Sequence, residues 1–241
     1  MKTVLLWLYQ VYAWLILIPF AALWSFIIGW LAVFAAVLIS PRFSSTRVGT
    51  LWAKVIGWVT PMLVTVEGRE HMDPEQTYVV VANHISQFDI ILVYGWLPID
   101  LRWVMKQELR KLPGIGIACE KVGHIIVDRS NPEIAKQTIN DALERIGNGV
   151  GIMFFPEGTR SLDGRLLPFK KGAFRIAKDQ DLPLLPLTLL GTREILPARR
   201  LRITPGRARL VIHPPVMPEG RDLRELMETC RSTIASRLPE P

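Results

Sequence analysis

The chain has 241 residues, 49% of them hydrophobic, and 29 basic against 22 acidic side chains give a formal net charge of +7. That length accommodates one ordinary domain plus an extra element. The two cysteines, Cys119 and Cys230, show neither metal-ligand spacing nor a disulfide framework, which fits a reducing compartment. No helix-turn-helix, zinc finger or basic-aromatic ribbon supports nucleic acid as the partner of the positive charge.

The hydrophobic excess is concentrated at the N-terminus. Thr3 to Ile39 holds no charged residue, and six of the eight tryptophans lie in the first 58 positions. Tryptophan is favoured where lipid meets water, so a membrane segment is expected. As one straight helix these 37 residues would run roughly 55 Å, against a hydrocarbon core of about 30 Å. Pro19 and Gly29 offer break points. The expectation is two short helices that enter the bilayer without crossing it, with one tilted span as the alternative. Residues 1 to 66 carry Lys2, Arg42, Arg47 and Lys54 and no acid, a pattern that favours the cytoplasmic face of the inner membrane and anionic headgroups. Residues 44 to 62 read as a helix lying on the membrane, with Leu51, Val55 and Trp58 on one face. The boundary between this anchoring part and a soluble domain is set at 62/63.

Beyond Glu67 strands and helices alternate. The sequence predicts strands in 78–83, 101–106, 121–129, 149–155, 182–191 and 207–213. It predicts helices in 87–97, 170–179 and 219–238. Asn131-Pro132-Glu133 reads as an N-cap, a proline in the first turn and an acid at the positive helix end. The helix it opens would present Ile134, Thr138, Ala142 and Ile146 on one face and stop at Gly147 and Gly149. This alternation predicts an α/β layer fold, its central sheet mostly parallel and flanked by helices, with the membrane-embedded two-helix segment ahead of it. Ligands of such sheets gather beyond the carboxyl ends of the strands.

Two polar clusters fall just past predicted strands: Asn83-His84, and Pro156-Glu157-Gly158-Thr159-Arg160. If His84 lies in a turn and Asp89 in the following first helical turn, the carboxylate can hold one ring nitrogen. The other nitrogen is then left to take a proton from a hydroxyl. The competing reading makes Ser86-Gln87-Phe88-Asp89 a capping box and His84 a loop histidine. No G-x-S-x-G elbow, no H-E-x-x-H pair and no Walker lysine loop occurs. A base that activates a hydroxyl of the substrate is what remains. In the second cluster Gly158 permits close backbone approach, and Arg160 offers a planar fork of donors suited to phosphate. Its plainer alternative is an i,i+3 salt bridge to Glu157. Lys106 and Arg129 follow predicted strands, and Lys170-Lys171-Gly172 would open a helix, adding further basic groups.

These residues resemble a known family. NHISQFD, from Asn83 to Asp89, resembles the N-H-x-x-x-x-D block of the glycerolipid acyltransferases, in particular the 1-acyl-glycerol-3-phosphate (lysophosphatidate) acyltransferases. FPEGTRS, from Phe155 to Ser161, resembles their F-P-E-G-T-R-S block. KQELRKLPGIG from Lys106 to Gly116, with Gly123 and Asp128-Arg129, is similar to the block between them. Leu184-Leu185-Pro186-Leu187 is similar to their last block, with leucines where valine or isoleucine is usual. The resemblance covers about residues 66 to 215, and the first two blocks together are far more specific than H-x-x-x-x-D alone. It implies that His84, steered by Asp89, deprotonates the sn-2 hydroxyl of a lysophosphatidate. That oxygen would then attack the thioester of acyl-CoA or acyl-acyl carrier protein. It further implies that Arg160, with Lys106, holds the phosphate and that Glu157, Gly158 and Thr159 shape its pocket. No metal or redox cofactor is expected, since a thioester is already activated. The alternatives are another acceptor, such as glycerol-3-phosphate or a different lysolipid, or a membrane lipid-binding protein without turnover.

Overall fold

The computed structural model describes residues 2–112, 114–128 and 131–239. Its N-terminal part is a helical hairpin. The first arm runs through α1 (Lys2–Tyr12), a widened π turn (Ala13–Leu17) and α2 (Ile18–Leu38). Pro19 does not break it. The proline lacks a backbone donor, and the π turn just before it absorbs the mismatch. Gly29 does not break it either: a Cβ there would lie 3.1 Å from the Gly114 carbonyl oxygen, so this glycine serves close packing. The reversal comes at Ile39–Ser40, where extended Ser40 accepts a hydrogen bond from Phe43 N–H and Pro41 opens the return arm. That arm comprises α3 (Pro41–Phe43), a second π turn (Ser44–Gly49) and α4 (Thr50–Val59).

Hydrogen bonds join the two arms along their length. Ser44 Oγ donates to Ala32 O, Trp52 Nε1 to Ser25 Oγ, Tyr12 OH to Val59 O and Tyr9 OH to Thr60 O. Val4–Leu38 is long and apolar enough to cross a bilayer by length and composition, with a mean hydropathy of 2.2. Its outer side chains, Trp7, Leu15, Leu23 and Leu38 among them, stand exposed.

The α/β part follows: β1 (Met62–Glu67), β2 (Tyr78–Ala82), α5 (Phe88–Trp96), β3 (Asp100–Lys106), α6 (Ile115–Val122), β4 (Ile125–Val127), α7 (Pro132–Leu143), β5 (Val150–Phe154), α8 (Gly172–Asp179), β6 (Leu184–Leu190), α9 (Thr192–Ile195), β7 (Gly206–Ile212) and α10 (Leu223–Ala235). The sheet order is β1-β7-β6-β2-β5-β3-β4, and every pair is parallel except β6 with β7. Alternation along β2 feeds two cores. Val80 and Ala82 pack toward α5, and Val79 and Val81 pack toward α8 and α10. All four are fully buried, which is why this stretch reads as a continuous apolar run.

Three expectations need correction. Edge strand β1 lies where the membrane-surface helix was expected to end and the soluble part to begin, and α6 was not foreseen. α7 buries Ile139, packs the half-buried Ala135, Ala142 and Leu143 against the same core, with Ile146 just past its end, and leaves Ile134 exposed, because the sheet lies on that side. α7 also ends at Leu143, ahead of both glycines, and Gly149 at φ +73° instead opens β5.

Candidate active site

The parallel strands β2, β5 and β3 end along one edge of the sheet, and two of them release the polar clusters. Asn83 prolongs β2 by one residue. Its side chain donates to Leu189 O and accepts from Leu189 N–H on β6, like a rung of the ladder. His84 then turns out of the sheet.

Asp89 sits fully buried in the first turn of α5. Its Oδ2 accepts from His84 Nδ1 at 2.8 Å, from Ile85 N–H at 2.7 Å and from Ser86 N–H at 2.9 Å. Its Oδ1 accepts from the Thr192 hydroxyl, delivered by α9 just past the end of β6. The two sequence readings therefore coexist, since one carboxylate caps the turn and also holds the imidazole. A carboxylate oxygen only accepts, so Nδ1 carries the proton and Nε2 is the basic nitrogen. The ring is fixed from its face by Phe155, at 3.8 Å between centroids and 10° between planes. With 14% of its side chain exposed, His84 stays within reach of a ligand.

The second cluster is fastened directly to the first. Glu157 Oε1 accepts from His84 N–H at 2.6 Å, and Ser161 N–H donates to His84 O at 2.8 Å. Glu157 Oε2 accepts from Leu167 N–H, which closes the loop 157–167 onto the site. Both carboxylate oxygens are thus engaged by backbone, and the i,i+3 bridge to Arg160 is not made. Burial pushes the Glu157 carboxyl up to about 7, against the two backbone N–H groups that favour its charged form. Gly158 takes φ +72°, and a Cβ there would meet Lys170 Nζ at 2.8 Å, so the Lys170 side chain lies over this turn. Arg160 is half-buried and engages no hydrogen bond or ion pair among the described residues, and Thr159 is exposed. Lys106 is exposed at the end of β3, with no bond to His84 or Arg160. Arg129 lies outside the described residues.

Thr192 is the member of this constellation that the motif reading left out, and Phe155 and Lys170, named there only as part of a block and as a basic side chain, take defined places against His84 and Gly158. The one available signal for Thr192 is its place as a polar residue directly past a strand end. Among the described residues no group of three or more His, Cys, Asp or Glu could hold a metal ion. Away from the strand ends, the hairpin, α5 and α6 line a partly open, mainly apolar cavity of ≈ 120 Å³. Ile28, Trp52, Tyr94, Ile115 and Val122 line it.

A family model described as Acyltransferase matches residues 63–190. A 1-acyl-sn-glycerol-3-phosphate acyltransferase of Chlamydomonas reinhardtii is 32% identical over 201 residues, 82% of this chain and 59% of that protein. One from Limnanthes douglasii is 32% identical over 206 residues, 83% of this chain and 72% of the relative. The alpha form from Ovis aries is 31% identical over 204 residues, 81% and 71% respectively. The chain therefore spans between about three-fifths and three-quarters of these relatives' length. The crystal structure of the 1-acyl-sn-glycerophosphate acyltransferase PlsC from Thermotoga maritima superposes with a TM-score of 0.82 at 28% identity, covering 100% of both chains.

Proposed function

The chain belongs to the 1-acyl-sn-glycerol-3-phosphate acyltransferase family, and from that premise we propose that it moves an acyl chain from a thioester donor to the sn-2 hydroxyl of 1-acyl-sn-glycerol-3-phosphate, giving phosphatidate. The donor is acyl-CoA or acyl-acyl carrier protein. The observation that carries this reading is the shared anchorage of the two clusters. His84, with Asp89 on Nδ1, is hydrogen-bonded through its own backbone to both Glu157 and Ser161, which flank Arg160. One glycerol backbone can thus present a hydroxyl to Nε2 and a phosphate to the guanidinium.

In this reading Nε2 takes the hydroxyl proton as the oxygen bonds to the thioester carbonyl carbon. Asp89 stabilises the imidazolium that forms. When the C–S bond breaks, the departing sulfur recovers the proton from Nε2 and leaves as thiol. Arg160 grips the phosphate, with Lys106 and Lys170 adding positive charge. Glu157, Gly158 and Thr159 hold the loop that presents Arg160. The exposed apolar hairpin keeps the enzyme at the bilayer where its acceptor resides. Arg42, Arg47 and Lys54 favour the cytoplasmic leaflet.

The test is acyl transfer by the purified protein with lysophosphatidate and each donor. His84→Ala lowers kcat by about 10²–10⁴-fold, with circular dichroism and membrane association unchanged. Arg160→Gln raises KM for lysophosphatidate and leaves donor KM alone. Retained turnover in the His84 variant removes the base. Activity confined to acceptors without phosphate removes the role of Arg160.

A further inference from the structure

From just after α9 into the start of β7 the chain reads PARRLRITPGRAR, residues 197 to 209, with five arginines and no acid. Arg209 pairs with Glu67 on β1. Arg199, Arg200 and Arg202 are all exposed and form no ion pair among the described residues. Leu201 stands in their midst at 69% exposure.

This turn is held firmly from behind. Arg200 N–H donates to Pro197 O, with Arg199 in the left-handed region at φ +60°. Thr204 N–H donates to Ile195 O, and its hydroxyl donates to Glu194 O. Ile203 is buried in the core, and its carbonyl accepts from Gln10 Nε2 on α1 at 2.6 Å. The chain thus directs Ile203 inward and the four residues before it outward.

The contact with Gln10 fixes the level of the turn against the hairpin. Tyr9 and Tyr12 flank Gln10, and their hydroxyls bond to Thr60 O and Val59 O at the end of α4. Trp7 and Trp58, both strongly exposed, lie in the same stretches. Aromatic rings with polar tips gather at the boundary between hydrocarbon and water. The three arginines therefore sit beside the band where the hairpin's apolar surface meets the headgroups.

We propose that the turn Arg199–Arg202 is a second membrane contact, docking on anionic phospholipid with its guanidinium groups on lipid phosphates and Leu201 among the glycerol esters. Charge complementarity and continuity with the apolar face of α1 carry the assignment. An acidic soluble protein satisfies the arginines but leaves the exposed Leu201 and Trp7 unexplained. The same turn reaches the site: Ser86 Oγ donates to Leu196 O, and Ser86 bridges Pro197. Docking therefore sets the orientation of the edge that carries His84 relative to the bilayer.

The experiment uses the full chain in bilayer nanodiscs of phosphatidylcholine, alone or with about a third phosphatidylglycerol. It reads tryptic cleavage at Arg199, Arg200 and Arg202 against cleavage at exposed Arg165 in the same molecule. The anionic composition slows cleavage at the turn by about tenfold relative to Arg165. About 1 M salt, where the Debye length is about 3 Å, removes the protection. In a second measurement, Leu201→Cys in a Cys119→Ser background carries an environment-sensitive dye. Its emission shifts to the blue on the anionic discs, and the shift disappears when the three arginines are replaced by glutamine. Equal cleavage in both compositions with no dye shift overturns the proposal, as does protection that appears only with added acidic acyl carrier protein. Neither readout involves acyl transfer, so its outcome is separate from the catalytic assignment.

Discussion

Asp89 receives four donors on two oxygens, and the one supplied from farthest along the chain is the Thr192 hydroxyl. In a fully buried carboxylate each of these bonds offsets lost hydration. Thr192→Val leaves Oδ1 without its donor while keeping shape. It is expected to destabilise the fold by about 1–3 kcal/mol. It also lowers kcat, less than His84→Ala does, with both KM values unchanged, and Thr192→Ser restores it. Steady-state kinetics and thermal unfolding of the three proteins check this; an unchanged kcat in the valine variant would leave Thr192 a packing residue. Glu157 gives a pH signature. Its ordinary value is 4.5, and burial lifts it to about 7, so the folded state binds a proton the unfolded state has released. The stability this contributes is fully present below about 4.5 and is lost as pH rises through about 7. Wild type should lose stability over that window relative to Glu157→Gln, seen as converging then crossing unfolding midpoints. Parallel curves would refute the raised value. At this scale the sequence revealed the local part: His84, Asp89 and the 157–161 loop announce themselves as polar groups past strands. Thr192 also follows a strand end, but nothing local names its partner, because Asp89 is 103 positions away and only the β2–β6 pairing brings them together.

Helix α5 carries Asp89 at one end and Tyr94 toward the other, and Tyr94 is where the hairpin bears on it. A Cβ on Gly49 would lie 2.2 Å from Tyr94 Cε1, with the Tyr94 hydroxyl also within contact. Gly49→Ala must displace a buried aromatic ring, so about 1–3 kcal/mol of destabilisation is expected. If the displacement travels along α5, kcat falls as well; Gly147→Ala, which meets nothing within 4 Å, serves as the neutral control. Unfolding midpoints that match in the two variants would show that the hairpin does not press on α5. At this scale proline and glycine mislead. Pro19 and Gly29 look like breaks because proline and glycine usually are. Here a π turn accommodates one, and a close approach to Gly114 requires the other. The true reversal is written as Ser40-Pro41, a cap followed by a first-turn proline, directly after the long apolar run. β1 is hard to read in the sequence because an edge strand half exposed to solvent shows little of the apolar run that marks β2.

Across the whole molecule, the division at 62/63 separates compositions, not cores. Ala13, Leu17, Ala53 and Ile56 from the hairpin belong to the same buried cluster as Leu92, Tyr94 and Leu187 from the α/β part. Trp52 and Tyr94 meet edge to face across the boundary, and the polar tips of Tyr9 and Tyr12 end on the chain just before β1. A detachable anchor would present a polar face to its domain, whereas this one covers an apolar face of α5. Residues 63–241 alone would expose that face, a patch large enough to drive association. The truncated chain is therefore expected to appear in the insoluble fraction, or to need detergent, and to lack the cooperative unfolding of the full chain. A soluble, monomeric 63–241 that melts cooperatively at the full-length temperature would mean that the hairpin is only a tether. The proposed chemistry makes the first outcome the consistent one. An enzyme whose acceptor is a membrane lipid gains from having its catalytic helix packed directly on the element that enters the bilayer, because the depth of the site is then fixed by the fold and not by a linker.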